Sequence, residues 1–504
     1  FICLGLGLIM AWPRKAAAIS LSLGLFLAIF ALVSRAFHVT TPISVSVPKK
    51  NAHCKMNAGR YDRRVALMAS GGFLGGIFGS GKIGSAFGAS NDAAGSKPFR
   101  PTNEVVKVVD GIRHKRLGGG DIIVSEVGLG TQRWVSEDFN SPSQEDCFKF
   151  MDTAILDSGV NLIDTAEQYP IPSGRSKPEG LVEEVIGKWL AKDKGRRAKT
   201  VIASKITGGA NVTPRNIRKD CEGSLRRLGT DHLDLYLLHW PARYTPQANW
   251  GQSLNYRYEA EDYPWYKDHT SFEDIALAMD KLVKEGKIRG WGMCNDNAFG
   301  LTAQAEIAKQ LGCEPPCVMQ GDFSMLNRRS EENGLFEASS PIYENAGFLG
   351  YNALAGGVLT GKYVGAPAAV DLTEREAYLR QRDAPRGRMD DYSWGRTLYR
   401  YRSAAALEAT AAYADLAKKN KMTLTELALR WCKERRGLTS TLLGCSSLAQ
   451  LQEDLRYFRD PRPLSDDLLW EVDRVHMRNR LPIFSSNRVG KDWDGEGEIG
   501  EPIP

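Results

Sequence analysis

Asn161-Leu-Ile-Asp164-Thr-Ala-Glu-Gln-Tyr169-Pro170 is the stretch on which the reading of this 504-residue chain turns. A short apolar run of strand type ends in a carboxylate, and a phenol follows five residues later. Two further runs repeat the arrangement downstream. Val201-Ile-Ala-Ser-Lys205 ends in an ammonium, and Leu233-Asp-Leu-Tyr-Leu-Leu-His239-Trp-Pro241 carries an imidazole at its end. Acid, phenol, ammonium and imidazole thus fall within 76 residues, the acid, ammonium and imidazole each at the carboxyl end of an apolar run and the phenol just beyond the first. In a parallel barrel those ends meet at one face, the face on which such barrels do their chemistry.

Working outward, eight such runs recur: Val127–Gly130, Asn161–Thr165, Val201–Lys205, Leu233–His239, Ile288–Cys294, Val318–Phe323, Leu349–Ala353 and Thr441–Gly444. Stretches of 3.6-residue periodicity lie between them, at Leu181–Leu190, Pro214–Leu228, Phe272–Lys284 and Thr302–Gln310. Strands alternating with helices imply a parallel sheet. Eight units over about 350 residues fit a (β/α)8 TIM barrel with insertions better than an open six-stranded sheet. No Gly-x-Gly-x-x-Gly follows a strand and opens a helix, which counts against a doubly wound dinucleotide domain. Ahead of the first run, Arg116-Leu-Gly-Gly-Gly-Asp-Ile-Ile-Val-Ser-Glu126 reads as a β-hairpin plugging the barrel bottom. The predicted class is therefore α/β: a (β/α)8 barrel over 101–485 with an N-terminal hairpin plug, and a C-terminal tail at 486–504. Long loops follow strands 4 and 7. The first, 242–271, holds Tyr244, Trp250, Tyr256, Tyr258, Tyr263, Trp265 and Tyr266; the second, 364–401, is rich in Arg. Long loops at that face usually serve function.

Composition is that of an ordinary globular protein, 42% hydrophobic and 25% charged. The net charge of +6 does not point to nucleic acid. The first 99 residues hold eleven Lys or Arg against Asp62 and Asp92, and the rest of the chain is slightly acidic. No basic stripe with interleaved aromatics runs through the body. Nine cysteines at irregular spacing form neither a disulfide framework nor a zinc pattern, and fit a reducing compartment. No metal cluster is expected, and Asp322 and Asp164 stand too far apart in strand order to act as a carboxylate pair.

Residues 1–100 read as an address rather than as fold. Met10 reads as the initiator, Arg14 and Lys15 precede an apolar run over 16–33, and Ser-Arg-Ala36-Phe37 supplies a small-residue cleavage site. That is a signal peptide at about 10–36. Phe37 after the cut, followed by a stretch without an acid before Asp62, resembles a bipartite plastid leader. Arg63-Arg64 before a Gly-rich apolar stretch, to about residue 90, resembles a twin-arginine thylakoid-transfer segment. The expected location is a plastid, in stroma or thylakoid lumen, without stable membrane association once the leader is removed. The alternative is the secretory pathway, or a membrane anchor at 16–33.

Reducing a carbonyl requires hydride on carbon and a proton on oxygen. A phenol at its ordinary pKa of about 10 is a poor donor at neutral pH. An ammonium nearby lowers that value, so Lys205 is expected to lower the pKa of Tyr169, with Asp164 holding Lys205 charged and oriented. His239 would hydrogen-bond the substrate oxygen and set its angle, a donor aimed at charge that develops in the transition state.

These segments resemble the aldo-keto reductases from Leu117 to about Arg478. Within that family the Tas-like branch is most similar, and the voltage-gated potassium channel β subunits are more distantly similar. The matching residues are Gly128-Leu-Gly-Thr131, Asn161 to Pro170, Ser204-Lys205 and Asp234 to Pro241. Further matches are Gly286-Lys-Ile-Arg289, Leu326-Asn-Arg328, Gly357-Val-Leu-Thr-Gly-Lys-Tyr363 and Leu442-Leu-Gly-Cys-Ser-Ser447. The resemblance implies a tetrad of Asp164, Tyr169, Lys205 and His239, and NADPH bound extended over the barrel top. It places Thr131 and Asp164 beside the cofactor, gives Asn295 and Gln320 the nicotinamide carboxamide, and lets Tyr351 stack on the ring. Lys362 would approach the pyrophosphate, and Gly444, Ser446, Gln450 and Glu453 the adenosine end. Arg396 or Arg400 would meet the 2′-phosphate. The chain departs from the family pattern at three of these places: Cys294 and Asn352 stand where Ser is common, and Asp454 where Asn is usual. The expected activity is NADPH-dependent reduction of an aldehyde or ketone to an alcohol. The alternative is a regulatory subunit whose bound NADP(H) reports redox state to a partner, as in the channel β subunits.

Overall fold

Val201–Ile206 and Leu233–Leu238 are buried at every position. Strands covered on both faces have no row of side chains turned to water, so they read as continuous apolar runs rather than alternating ones. The computed structural model describes residues 99–484, apart from residues 139, 244, 246–268, 366–386, 388–400 and 402. The expected leader before residue 99, the tail at 486–504, Arg396, Arg400 and the aromatics from Tyr244 to Tyr266 therefore lie outside the described residues.

Eight strands close a parallel barrel: β4 (Val127–Gly130), β5 (Leu162–Asp164), β6 (Val201–Ile206), β7 (Leu233–Leu238), β8 (Ile288–Cys294), β9 (Val318–Asp322), β10 (Gly347–Tyr351) and β11 (Ser440–Leu443). Each pairs with the next in sequence, and β11 closes on β4. All eight expected runs are strands. The seventh sits two residues earlier than expected, and it ends at Tyr351 because Asn352 takes a left-handed conformation, φ 61°. Asparagine tolerates that region at low cost.

Leu162, Ala203, Leu235, Leu237, Val318, Leu349 and Leu442 fill the barrel interior, joined by Leu117, Ile122 and Val124 from the segment that precedes it. That segment is the expected plug, with one strand more than expected. β2 (Ile112–Arg116) pairs antiparallel with β3 (Ile123–Ser125), and β1 (Val105–Val109) adds to the other edge of β2. β1 is exposed throughout, so its sequence carries no buried face to reveal it.

Three of the four expected helices follow a hydroxyl or amide side chain that caps them, and Leu181–Leu190 follows Gly180 without one. Thr213 Oγ1 accepts from Asn216 N ahead of Pro214–Leu228, and Gly229, φ 62°, ends that helix. Ser271 does the same for Phe272–Lys284. Asn297 caps the helix expected over Thr302–Gln310, which starts earlier, at Ala298. Such caps satisfy amide groups that the first turn leaves free.

Gly292 in β8 packs so closely that an added Cβ would fall within contact distance of the Val318 carbonyl oxygen. Overpacking of this kind costs about 1–3 kcal/mol. Gly292→Ala is expected to lower the urea midpoint accordingly; an unchanged midpoint would show that β8 and β9 can separate freely.

Candidate active site

The residues expected to do the chemistry and to grip the carboxamide come from barrel strands or from the segments that follow their carboxyl ends. Asp164 closes β5, Lys205 is the penultimate residue of β6, and His239 follows β7. Asn295 follows β8, Gln320 lies in β9, Tyr351 closes β10, and Gly444 follows β11. Tyr169 comes from the loop after β5, where its backbone N–H donates to Ala166 O at 3.1 Å and its carbonyl accepts from Gly180 N at 2.9 Å. Except for Lys205, these residues line one cleft of about 470 Å³, a volume suited to a small molecule or cofactor segment.

Lys205 is fully buried. Its Nζ lies 2.8 Å from Asp164 Oδ1 and donates to the Thr165 carbonyl at 2.8 Å. Asp164 Oδ1 also accepts from Gln320 Nε2 at 2.7 Å. Lys205 Nζ stands 5.0 Å from the centre of the Tyr169 ring, and the Tyr169 and His239 rings meet edge-on at 5.7 Å. The four expected catalytic residues are therefore brought together. The expected direction at Tyr169 is corrected. Burial pushes its phenol well above the ordinary value, and the Asp164 carboxylate pushes the same way. The Lys205 charge is directed at Asp164 and at the Thr165 carbonyl. His239 moves down, first through burial and then through the Lys205 charge, so the imidazole is neutral at physiological pH. Its Nδ1 is buried and has no hydrogen-bond partner among the described residues.

The residues expected to grip a carboxamide form a chain of their own. Asn295, held at φ 58°, donates from Nδ2 to His239 O at 2.9 Å and to Cys294 Sγ at 3.3 Å, and its Oδ1 accepts from Tyr351 OH at 2.5 Å. Cys294 Sγ in turn donates to Gln320 Oε1 at 3.3 Å. Burial pushes the Cys294 thiol up to about 12, which keeps its proton available for that bond. Replacing Cys294 by Val deletes both bonds and leaves buried Gln320 Oε1 without a donor, at a cost of about 1–3 kcal/mol. The denaturation midpoint should fall in Cys294→Val and recover in Cys294→Ser, which can make both bonds.

The same donor set can accommodate a dinucleotide. After its internal bonds Gln320 keeps one N–H and one lone pair, and Asn295 keeps one lone pair, enough to hold a primary carboxamide. Farther along the cleft an added Cβ at Gly444 would meet nothing within 4 Å, leaving room for a ligand against the backbone. Ser446 Oγ and N both donate to Gln450 Oε1, at 3.0 and 2.9 Å. Ser447 caps the helix Leu448–Arg459, which supplies Gln450, Glu453 and Asp454 to the wall. Thr131, Asn352 and Lys362 line the cleft as expected, and Thr131 Oγ1 donates to the Asp164 carbonyl at 2.9 Å.

Sequence reading missed several walls. Trp134, Ile171, Trp240, Leu354, Thr425 and Cys445 also line the cleft. Trp240 stacks on His239 at 6.2 Å. Its place directly after the imidazole was a usable signal, as was that of Cys445 directly after Gly444. Thr425 gives none, being brought in from a helix that begins at Leu424. Asp322 accepts from Tyr401 OH at 2.9 and 2.7 Å, and does not line the cleft.

The family model described as the aldo/keto reductase family matches residues 126–476, the span of the barrel and its helices. The chain belongs to the aldo/keto reductase family. Protein tas of Escherichia coli (strain K12) is 33% identical over 384 residues, covering 74% of this chain and 99% of that protein. An aldo-keto reductase of Babesia bovis is 32% identical over 298 residues, covering 57% of this chain and 99% of that protein. Aldo/keto reductases are in general NADP-dependent oxidoreductases that act on carbonyl compounds. Among the described residues of this one, no group of three or more His, Cys, Asp or Glu is placed to hold a metal ion. No described helix is long and apolar enough to cross a membrane.

Proposed function

We propose that the protein reduces an aldehyde or ketone to an alcohol with NADPH, and that Tyr169 delivers the proton to the carbonyl oxygen. The observation that carries this reading is the convergence of Tyr169 and His239 on one cleft above the buried Lys205–Asp164 pair. When bound, NADPH supplies the hydride. Asn295 and Gln320 would hold its carboxamide, with Lys362, Ser446 and Gln450 farther along the cleft.

The protein's own part is positioning and proton supply. A phenol whose value is raised by burial keeps its proton in the resting site, and a forming alkoxide is basic enough to take it. His239 is neutral, and with Nδ1 unpartnered its N–H is best placed on Nε2, free to donate to the same oxygen. Lys205, fixed by Asp164 and Thr165 O, offsets the negative charge that passes to Tyr169 once the proton has left. Trp134, Trp240 and Ile171 supply apolar wall around the reacting carbonyl.

The test is NADPH oxidation by the purified protein against aldehydes, ketones and quinones. Turnover with carbonyl compounds is the expected result. Tight NADPH binding without turnover of any of them would overturn it and favour the regulatory-subunit reading. By the same route we propose that residues 1–100 address the protein to a plastid. A fluorescent fusion of that segment retained in the secretory pathway would count against this.

A further inference from the structure

Asp454 is a buried carboxyl in the wall of the cleft, on the same helical face as Gln450 and Glu453. Its Oδ2 accepts the Cys445 thiol at 3.3 Å, and among the described residues no cation pairs with it. The neighbouring charges are engaged elsewhere. On its own helix Glu453 accepts from Tyr457 OH at 2.7 Å, and Arg459 pairs with Asp110. Arg456 reaches Tyr457 OH at 3.5 Å. On the packed helix Gln144–Met151, Lys149 pairs with Asp146, beside Glu145. On the packed helix Leu424–Glu434, Arg430 pairs with Glu426 and Lys433 donates to Phe458 O, with Glu434 at the end. Lys362 lines the cleft and stacks over the Tyr363 ring at 5.2 Å.

We infer that Asp454 makes cofactor affinity depend on pH, the dinucleotide binding with this carboxyl protonated. The inference rests on the reading that the cleft binds NADPH. Burial pushes Asp454 up to about 7; Glu453 adds to the rise, and the Cys445 hydrogen bond opposes it. A dinucleotide entering the cleft removes water from this wall and brings phosphate charge. Both disfavour the carboxylate, so the value rises further in the complex. A group whose value is higher in the complex than in the free protein contributes its full binding advantage below the free value. That advantage is lost as pH rises above it. Affinity is therefore highest below pH 7 and falls above. An amide at this position is neutral throughout and gives no such slope.

The test is NADPH titration of the full chain by fluorescence at pH 6.5, 7.5 and 8.5 at constant ionic strength, with Asp454→Asn alongside. The wild type should weaken roughly tenfold across that range, and the variant by less than about twofold. The ligand's own 2′-phosphate titrates near about 6 and acts equally on both proteins, so it cannot produce the difference. Asp454→Ala replaces the Asn variant if the latter does not accumulate. A flat wild-type profile, or a slope retained in the variant, overturns the inference and leaves the reductase reading intact. Absence of NADPH binding at every pH removes both.

Discussion

Tyr169→Phe is expected to lower kcat by roughly 10²–10⁴-fold while leaving NADPH affinity within about twofold of wild type. Tyr169 is nearly fully buried, with its ring edge against His239 and Lys205 beyond. Phenylalanine fills the same volume and keeps the edge-on contact, so the walls of the cleft do not change. What disappears is the one side-chain hydroxyl proposed to protonate the carbonyl oxygen. Neutral His239 can still polarise that oxygen, which is why a residual rate is expected rather than none. Steady-state kinetics with a fluorescence titration of NADPH checks both halves. Retention of most of the turnover would remove Tyr169 as the acid, and a parallel loss of NADPH binding would recast it as a packing residue.

The barrel, and the meeting of Asp164, Tyr169, Lys205 and His239 at its top, were legible because strand-type runs that end in a polar residue mark the face where side chains converge. Asp164, Lys205 and His239 each stand at such an end. The direction of the Tyr169 shift was not legible. It depends on burial, and on Lys205 being directed at Asp164 and the Thr165 carbonyl, both consequences of tertiary packing. The chain from Asn295 through Cys294 to Gln320 was hidden for a similar reason. It joins β8 to β9 across a barrel top that sequence spacing does not show. β1 escaped notice because Val105 to Val109 bury nothing, and apolar periodicity reports only faces that are buried. Asp454 shows the opposite case. The sequence shows an acid where an amide is usual, but only the fold buries that carboxyl in the cleft wall, where among the described residues no cation pairs with it.

Lys205→Met is expected to destabilise the fold by about 3–5 kcal/mol, a large share of the roughly 5–15 kcal/mol that keeps a domain folded. The ammonium contributes two of the contacts that make this interior tolerable, one to Asp164 Oδ1 and one to the Thr165 carbonyl. Methionine restores the volume but leaves Asp164 with the single bond from Gln320 Nε2 and no opposite charge. Asp164→Asn alone leaves the reverse imbalance, a buried ammonium facing an amide. The double variant carries no net charge in the site, so most of the lost stability should return, because a buried ion pair contributes little net stability over neutral residues of similar volume. Turnover should not return, because the charge that receives the Tyr169 phenolate is gone. Urea midpoints and kcat for the two single variants and the double variant form a cycle in which stability recovers and rate does not. Recovery of both would mean that the pair serves packing. Failure of both would mean that Lys205 supports the barrel top through Thr165 as well as through Asp164. The expected split places the pair in this barrel for its charge, at a position where neutral side chains would hold the fold equally well.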